Sequence, residues 1–592
     1  MKKFFISFLA TLAGIWFSLL LAFIGFIIVI SAAVATSVGK PTVDIKKHSI
    51  LKVDLSGSIL DTQPKLDIMS VMRGEEKGAQ ILSDITGSIV AAASDDRIDG
   101  IVISSNGAMA GLAQRSAIIE ALRKFKENAP AKWIYAYGDM YTQGDYYVAS
   151  VADSIFINPI GQIDVHGLSA TTMFFHQLLE KVGVEVQVVK VGTYKSAVEP
   201  FILDKMSEPS REQQQLYLGN MWQTVASSIA DARGVTVGTV NSWADNFVFT
   251  RPTEEYISMK MADRLVYNHE FEQKLADITD CEKAKDLRYV NTADYAKTAE
   301  LNKVGNGKGA DIAILYACGD ITDNSGDGIV ASDFVPQILD LAENDDIDAL
   351  IMYVNSPGGS AFASEQIWEA LEQFKKISGK PFYVSMADYA ASGGYYISCG
   401  ADKIFAQPVT LTGSIGIFGM IPNAKRLMNE KLGINTGTVQ TNANGNFPSI
   451  MEPMTPAEAS AMQAYVERGY DLFTRRCAEG RGMSQDSIKM IGEGRVWDGR
   501  EALKLGLVDE LGSLDAAIAD MAKRLNVESY TVSVYPDQKQ KWYAPLLEAG
   551  SDLKASIVRD ELGEMASLYD TLQKVKGMST LQCRMDFVEV CL

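Results

Sequence analysis

Residues 347–374 read "IDALIMYVNSPGGSAFASEQIWEALEQF", and residues 98–125 read "IDGIVISSNGAMAGLAQRSAIIEALRKF". They are one pattern displaced by 249 positions, and the register runs without a gap from Ile98 to Gly167 and from Ile347 to Gly416. Over those 70 positions 19 residues are identical, where chance gives roughly 4. Within the unit, "ALIMYV" (349–354) reads as a buried strand. "ASEQIWEALEQFKK" (363–376) puts Ile367, Leu371 and Phe374 on one helical face, and "KPFYVSM" (380–386) reads as the next strand. "SGGYYISCGA" (392–401) suits a short helix, and "KIFAQP" (403–408) a further strand. Repeated strand–helix–strand units require right-handed crossovers and a largely parallel sheet, with active groups gathered at the strand C-terminal ends.

The likeness extends beyond the gapless block. "SILKVDLSGSILD" (49–61) parallels "DIAILYACGDITD" (311–323), and "GVEVQVV" from Gly183 parallels "GINTGTV" from Gly433. The expectation is an α/β protein made of two tandem repeats, 46–300 and 308–592. The linker, 301–307, lies inside the polar, Gly-containing stretch "TAELNKVGNGKG" (298–309).

Composition narrows the function. A net charge of −19 with no Lys/Arg cluster argues against a nucleic-acid partner. Six scattered cysteines form no CxxC, and the four histidines (His48, His166, His176, His269) all lie in the first half, so neither a zinc site nor a cofactor site is expected. Cys583 and Cys591 are close in sequence, and a disulfide or two free thiols are both open.

After a three-residue tail (1–3), residues 4–30 carry no charge. As a helix they extend roughly 40 Å, enough to cross a hydrocarbon core of about 30 Å with tilt. This predicts a single transmembrane anchor, although "AVA" at 33–35 resembles a cleavage site of a removable signal peptide. The lysines at 2, 3, 40, 46 and 47 flank both ends, so charge does not decide the orientation.

The chemistry lies in the second repeat. "NSPGGS" (355–360) ends one strand and "AASGG" (390–394) ends the next. Ser392 is a candidate nucleophile, and the neighbouring glycines offer the exposed amides that an oxyanion hole for acyl transfer needs. There is no G-x-S-x-G elbow, and "HEFEQ" (269–273) lacks the second histidine of a zinc-peptidase helix. In the first repeat Gln143 stands where Ser392 is, and Met109 and Ala110 stand where Gly358 and Gly359 are. That half is therefore expected to be inactive by itself. It carries "VGTYKSAVEPF" (191–201), however, with Lys195 where the second repeat has Gly445. A neutral lysine can activate a serine, and an ordinary lysine value of about 10.4 falls when the amine is buried.

The stretches "GTYKSAVEPF" (192–201), "NSPGGS", "AASGGYYIS" (390–398) and "LTGSIGIFG" (411–419) resemble the long, duplicated form of the signal peptide peptidase A family, also called protease IV. The resemblance implies a Clp-protease/crotonase-like fold in each repeat. It implies Ser392 as nucleophile, Lys195 as general base, Ser414 as the group orienting the lysine, and the amides of Gly359 and Gly393 as the oxyanion hole. It further implies a homotetramer on the outer, periplasmic face of the bacterial inner membrane that digests cleaved signal peptides and other apolar peptides. The final stretch, "KGMSTLQCRMDFVEVCL" (576–592), is not assigned by it. The competing readings are a crotonase-type enzyme acting on acyl-CoA and a non-catalytic membrane scaffold.

Overall fold

Alternating strands and helices build two sheets of the same topology. The computed structural model describes residues 11, 14–21, 25, 44–63, 79–298, 301, 303–304, 307–326, 328–536, 581–585 and the backbone of 589–591. In the first repeat the strand order is Arg288–Asn291, Ser49–Leu55, Ile98–Ser105, Trp133–Tyr141, Ser154–Ile163, Arg264–Leu265, all parallel. In the second repeat the equivalent run is Tyr530–Tyr535, Asp311–Cys318, Ala349–Ser356, Phe382–Ala391, Lys403–Ala406, Glu510–Leu511, again parallel. The order is the same, as a duplicated sequence requires.

Helix Ala361–Ser378 buries Ile367, Trp368, Leu371 and Phe374, the face given by its 3.6-residue spacing. The Ser360 side chain caps its start by accepting from Ala363 N–H, and Gly379 ends it at φ +65°. These side chains join Leu350, Met352, Val354, Val384 and Met386 in one core. Each such side chain contributes roughly 1.5–3 kcal/mol by leaving water.

A third sheet crosses the repeats. Its order is Ile329–Val330, Ile321–Thr322, Gly358–Ser360, Leu581–Arg584, Ile417–Asn423, Glu185–Val191. The first-repeat strand Glu185–Val191 runs antiparallel to Ile417–Asn423 over seven paired residues. Its sequence counterpart from Gly433 belongs to no strand and leaves Val439 fully exposed. Residues 47–592 form one compact unit, and Met1–Lys46 form another. Of the stretch 4–30, the described residues 11, 14–21 and 25 are helical. Among the described residues no helix is long and apolar enough to cross a membrane, and the rest of the expected anchor lies outside them. Linker residues 302, 305 and 306 also lie outside them.

The repeats are stitched by partly buried polar groups. Asp61 accepts from Tyr353 Oη–H (2.8 Å), Gln114 Nε2–H (2.8 Å) and Asn355 Nδ2–H (2.6 Å). Asp388, four residues before Ser392, accepts from Ala113 N–H at 2.8 Å. Burial pushes its carboxyl up to about 7, opposed by the Ala113 bond and by Arg115 and reinforced by the Asp61 charge. A carboxyl raised above its unfolded value of about 3.9 stabilises the fold fully below that value and loses the contribution as pH rises through 7. Asp388→Asn is expected to raise the melting temperature at pH 8 by on the order of 2 °C and to leave it unchanged at pH 4. Thermal melts at the two pH values check this, and equal shifts at both would remove Asp388 from the role.

Candidate active site

Ser392 occupies the turn between strand Phe382–Ala391 and helix Gly393–Ser398, with φ +55° and ψ −112°. A non-glycine residue in that conformation stores about 1–3 kcal/mol of strain. Backbone bonds hold it: Ser392 N–H donates to Gly413 O, and Ser392 O accepts from Tyr396 N–H, both at 2.8 Å. The Ser392 side chain is fully buried.

Lys195 reaches the serine from the first repeat, in the loop between strand Glu185–Val191 and the helical turn Glu199–Ile202. Its Nζ lies 2.8 Å from Ser392 Oγ, 3.0 Å from Ser414 Oγ and 3.2 Å from Ser414 O. Lys195 and Ser414 are each 1% exposed. The three side chains that the sequence singled out thus meet in one buried cluster, and the lysine and the serine belong to the same chain. Ser392 Oγ also lies 3.5 Å from Gly416 O.

The two glycines expected to supply amides lie on converging elements. Gly359 sits in the short strand Gly358–Ser360 beside Ile321, where a Cβ would stand 2.0 Å from Ile321 O. Gly393 opens the helix after Ser392, and the first amides of a helix have no partner within it. A Cβ on Gly358, at φ +103°, would stand 2.7 Å from Gly393 N. The two amide-bearing turns therefore approach as closely as their lack of side chains allows.

A further element escaped the sequence reading. The loop "GEGR" (492–495) clamps the lysine against the Ser414 turn. Tyr194 N–H donates to Glu493 O (2.9 Å), Gly494 N–H to Ile415 O (2.8 Å) and Ser414 N–H to Arg495 O (2.7 Å). Gly494 is at φ +78°, and a Cβ there would stand 2.8 Å from Lys195 N, Cα and Cβ. The Arg495 guanidinium lies over the Tyr194 and Trp497 rings and pairs with Glu212 at 2.8 Å. Two glycines around an acid were the available signal, but nothing local links them to Lys195.

The corresponding place in the first repeat is filled. Gln143 Oε1 accepts from His166 N–H and Gly167 N–H, and its Nε2–H donates to Gly167 O, all at 2.8 Å. Arg115 and Asp145, which align with Ser364 and Gly394, form a buried ion pair at 3.0 Å. Asp145 also accepts from Ser105 Oγ–H and Gly107 N–H. A hydrogen-bonded structural ion pair stands where the second repeat has Ser364 and Gly394. Cys583 is a buried free thiol, and the Cys591 side chain lies outside the described residues.

The family model for peptidase family S49 matches twice, at residues 126–281 and 374–528, one match per repeat. The Clp protease model matches residues 314–411, in keeping with a Clp-protease-like α/β fold. Protease 4 of Haemophilus influenzae is 32% identical over 575 residues, which cover 94% of this chain and 92% of that protein. Protease 4 of Salmonella typhi is 33% identical over 509 residues, 82% of this chain and 80% of that protein. The chloroplastic serine protease SPPA of Arabidopsis thaliana is 29% identical over 558 residues, 92% of this chain and 78% of that protein. With both repeats matched and relatives aligned along most of their length, the chain belongs to peptidase family S49 and is a serine peptidase of the long, duplicated signal peptide peptidase A form.

Proposed function

We propose that Ser392 and Lys195 act as a catalytic dyad that hydrolyses cleaved signal peptides at a membrane surface. The observation that carries the reading is the 2.8 Å separation of Lys195 Nζ and Ser392 Oγ in a site closed to water. Ser392 Oγ attacks the peptide carbonyl while the neutral Lys195 amine takes its proton. The amides of Gly359 and Gly393 receive the developing oxyanion. Lys195 then gives the proton to the departing amine, and water hydrolyses the ester on Ser392 by the reverse transfer. A phosphonylating serine probe should label Ser392 in the wild type and fail in Lys195→Ala. Equal labelling of both would dissociate the lysine from the serine. A crotonase-type acyl-CoA reaction would need neither side chain, and membership of a peptidase family disfavours it.

Ser414 orients the amine in this reading, because its Oγ and O both lie within hydrogen-bond reach of Nζ. Loss of one buried hydrogen bond is worth about 1–3 kcal/mol, so Ser414→Ala should slow kcat by roughly ten- to a hundredfold with little change in KM. An unchanged kcat would confine Ser414 to shaping its turn.

The membrane part of the proposal rests on the apolar stretch 4–30. Within its described helix, Ile15, Trp16, Phe17, Leu19, Leu20 and Leu21 are all more than half exposed, as lipid-facing side chains are. A single-pass anchor in a bacterial inner membrane with the repeats on the periplasmic side would hold the enzyme where apolar signal peptides remain after processing. Resistance to alkaline extraction, with protease accessibility in spheroplasts, tests it. The exposed apolar residues Leu432, Ile434 and Val439 supply a surface for assembly into a homotetramer, which sedimentation equilibrium would reveal.

A further inference from the structure

The loop that carries Lys195 is anchored to helix Glu208–Arg233 at two points. Past the lysine, the buried Glu199 carboxylate accepts from the N–H (3.1 Å) and Oγ–H (2.5 Å) of Ser207, the residue that caps the helix. At the lysine itself stands Gln213, on the second turn of the helix and 1% exposed. Its Nε2–H groups donate to Tyr194 O at 3.1 Å and to Ser196 Oγ at 2.8 Å, the residues on either side of Lys195. Its Oε1 accepts from Val496 N–H, in the second repeat, at 3.1 Å. These partners fix the orientation of the amide, since a backbone carbonyl can only accept and a backbone N–H can only donate.

Val496 leads to the other half of the site. Strand Val496–Asp498 runs antiparallel to Leu411–Gly413, with Val496 opposite Gly413. The residue after Gly413 is Ser414, whose N–H donates to Arg495 O. One side chain therefore spans from the backbone that presents the lysine to the strand beside the serine that holds its amine. Two further residues of the helix fasten it to that strand. Glu212 pairs with Arg495 at 2.8 Å, and Asn220 Nδ2–H donates to Asp498 at 2.6 Å. A carboxamide serves all three partners of Gln213. A carboxylate has no proton for Tyr194 O, and an ammonium has no lone pair for Val496 N–H.

The second repeat supplies a comparison. Its helix Pro456–Arg481 has the same length of 26 residues, and Gly482 ends it as Gly234 ends the first. Counted from the cap, the exposed Ala461 stands where Gln213 stands. The repeat without the lysine also lacks the glutamine.

We propose that Gln213 is the positioning residue of the base, holding the backbone on both sides of Lys195 at a fixed distance from the Ser414 turn. It thereby sets the separation of Lys195 Nζ from Ser392 Oγ. The lysine arrives from a different repeat than the serine, so its aim depends on a tie between the repeats at this point. A misplacement of about 1 Å in a reacting group costs up to roughly a hundredfold. The proposal rests on Lys195 being the base.

Two substitutions in the full-length chain test it. Gln213→Met keeps the side-chain length and removes all three bonds. Gln213→Glu keeps the acceptor for Val496 N–H and loses the donors. Each should lower kcat on a reporter peptide by about ten- to a hundredfold and leave KM within about twofold. The decisive comparison is a Lys195→Arg chain, whose residual turnover does not use a lysine. Adding Gln213→Met there should change kcat by less than about twofold, because a residue that acts through the lysine has nothing left to position. An unchanged kcat in both single variants would overturn the proposal. So would an equal proportional loss in the wild-type and Lys195→Arg backgrounds, or collapse of the fold in both variants in a thermal melt, since either makes Gln213 a general structural residue. A Lys195→Arg chain as active as wild type would instead overturn the base assignment beneath it.

Discussion

Ser392→Ala is expected to leave a folded protein that hydrolyses no peptide above background. The serine stands at the start of helix Gly393–Ser398 with its Oγ 2.8 Å from the candidate base, Lys195 Nζ. Removing a serine nucleophile typically costs four to six powers of ten in kcat, leaving only what binding and the oxyanion amides supply (of order 10⁴–10⁶). The fold should tolerate the change. The backbone bonds from Gly413 and Tyr396 that hold the turn do not involve the hydroxyl, and a single oxygen is lost. The measurement is kcat on a reporter peptide, with a thermal melt of the same sample. Turnover near the wild-type rate in a pure preparation would end the assignment of Ser392.

Lys195→Arg should be nearly as damaging although it keeps the positive charge. A guanidinium does not give up its proton in this pH range, so it cannot accept one from Ser392. It is also broader than an ammonium, and the lysine stem is already confined. A Cβ on Gly494 would stand 2.8 Å from its backbone, and one on Gly416 would stand 3.2 Å from its Cδ. General-base catalysis is worth about 10²–10⁴-fold, and kcat/KM should fall by that factor. Burial penalises the charged form of an amine, so wild-type kcat/KM should rise with pH along a limb governed by one proton. That limb should be missing from the residual activity of Lys195→Arg. An arginine variant within a few-fold of wild type, or one that keeps the limb, would hand the base role to another group.

What the sequence determined by itself was local or periodic. The 249-residue displacement of one pattern onto another established two α/β repeats, and the sheets have one shared strand order. Comparing the repeats marked Ser392 and Lys195, because each lacks a counterpart at the aligned position, Gln143 and Gly445. The glycines of 355–360 and Gly393 were marked by the turns they make beside that serine, whereas Ser414 came from likeness to a family, since a serine in a turn has no signature of its own. The sequence parallel between residues 183–189 and 433–439 does not extend to conformation, since the first pairs as a strand with Ile417–Asn423 and the second is in no strand. Only the tertiary structure decided what lies opposite what. Lys195 meets Ser392 across 197 positions of chain and Ser414 across 219. The loop at Gly494, the Arg115–Asp145 pair filling the first repeat's vacant site, and the strand Leu581–Arg584 beside the glycines were invisible for the same reason. Residue spacing dictates backbone conformation over a few residues, whereas contacts between distant segments are set by which packed arrangement buries the core and satisfies every buried polar group at once.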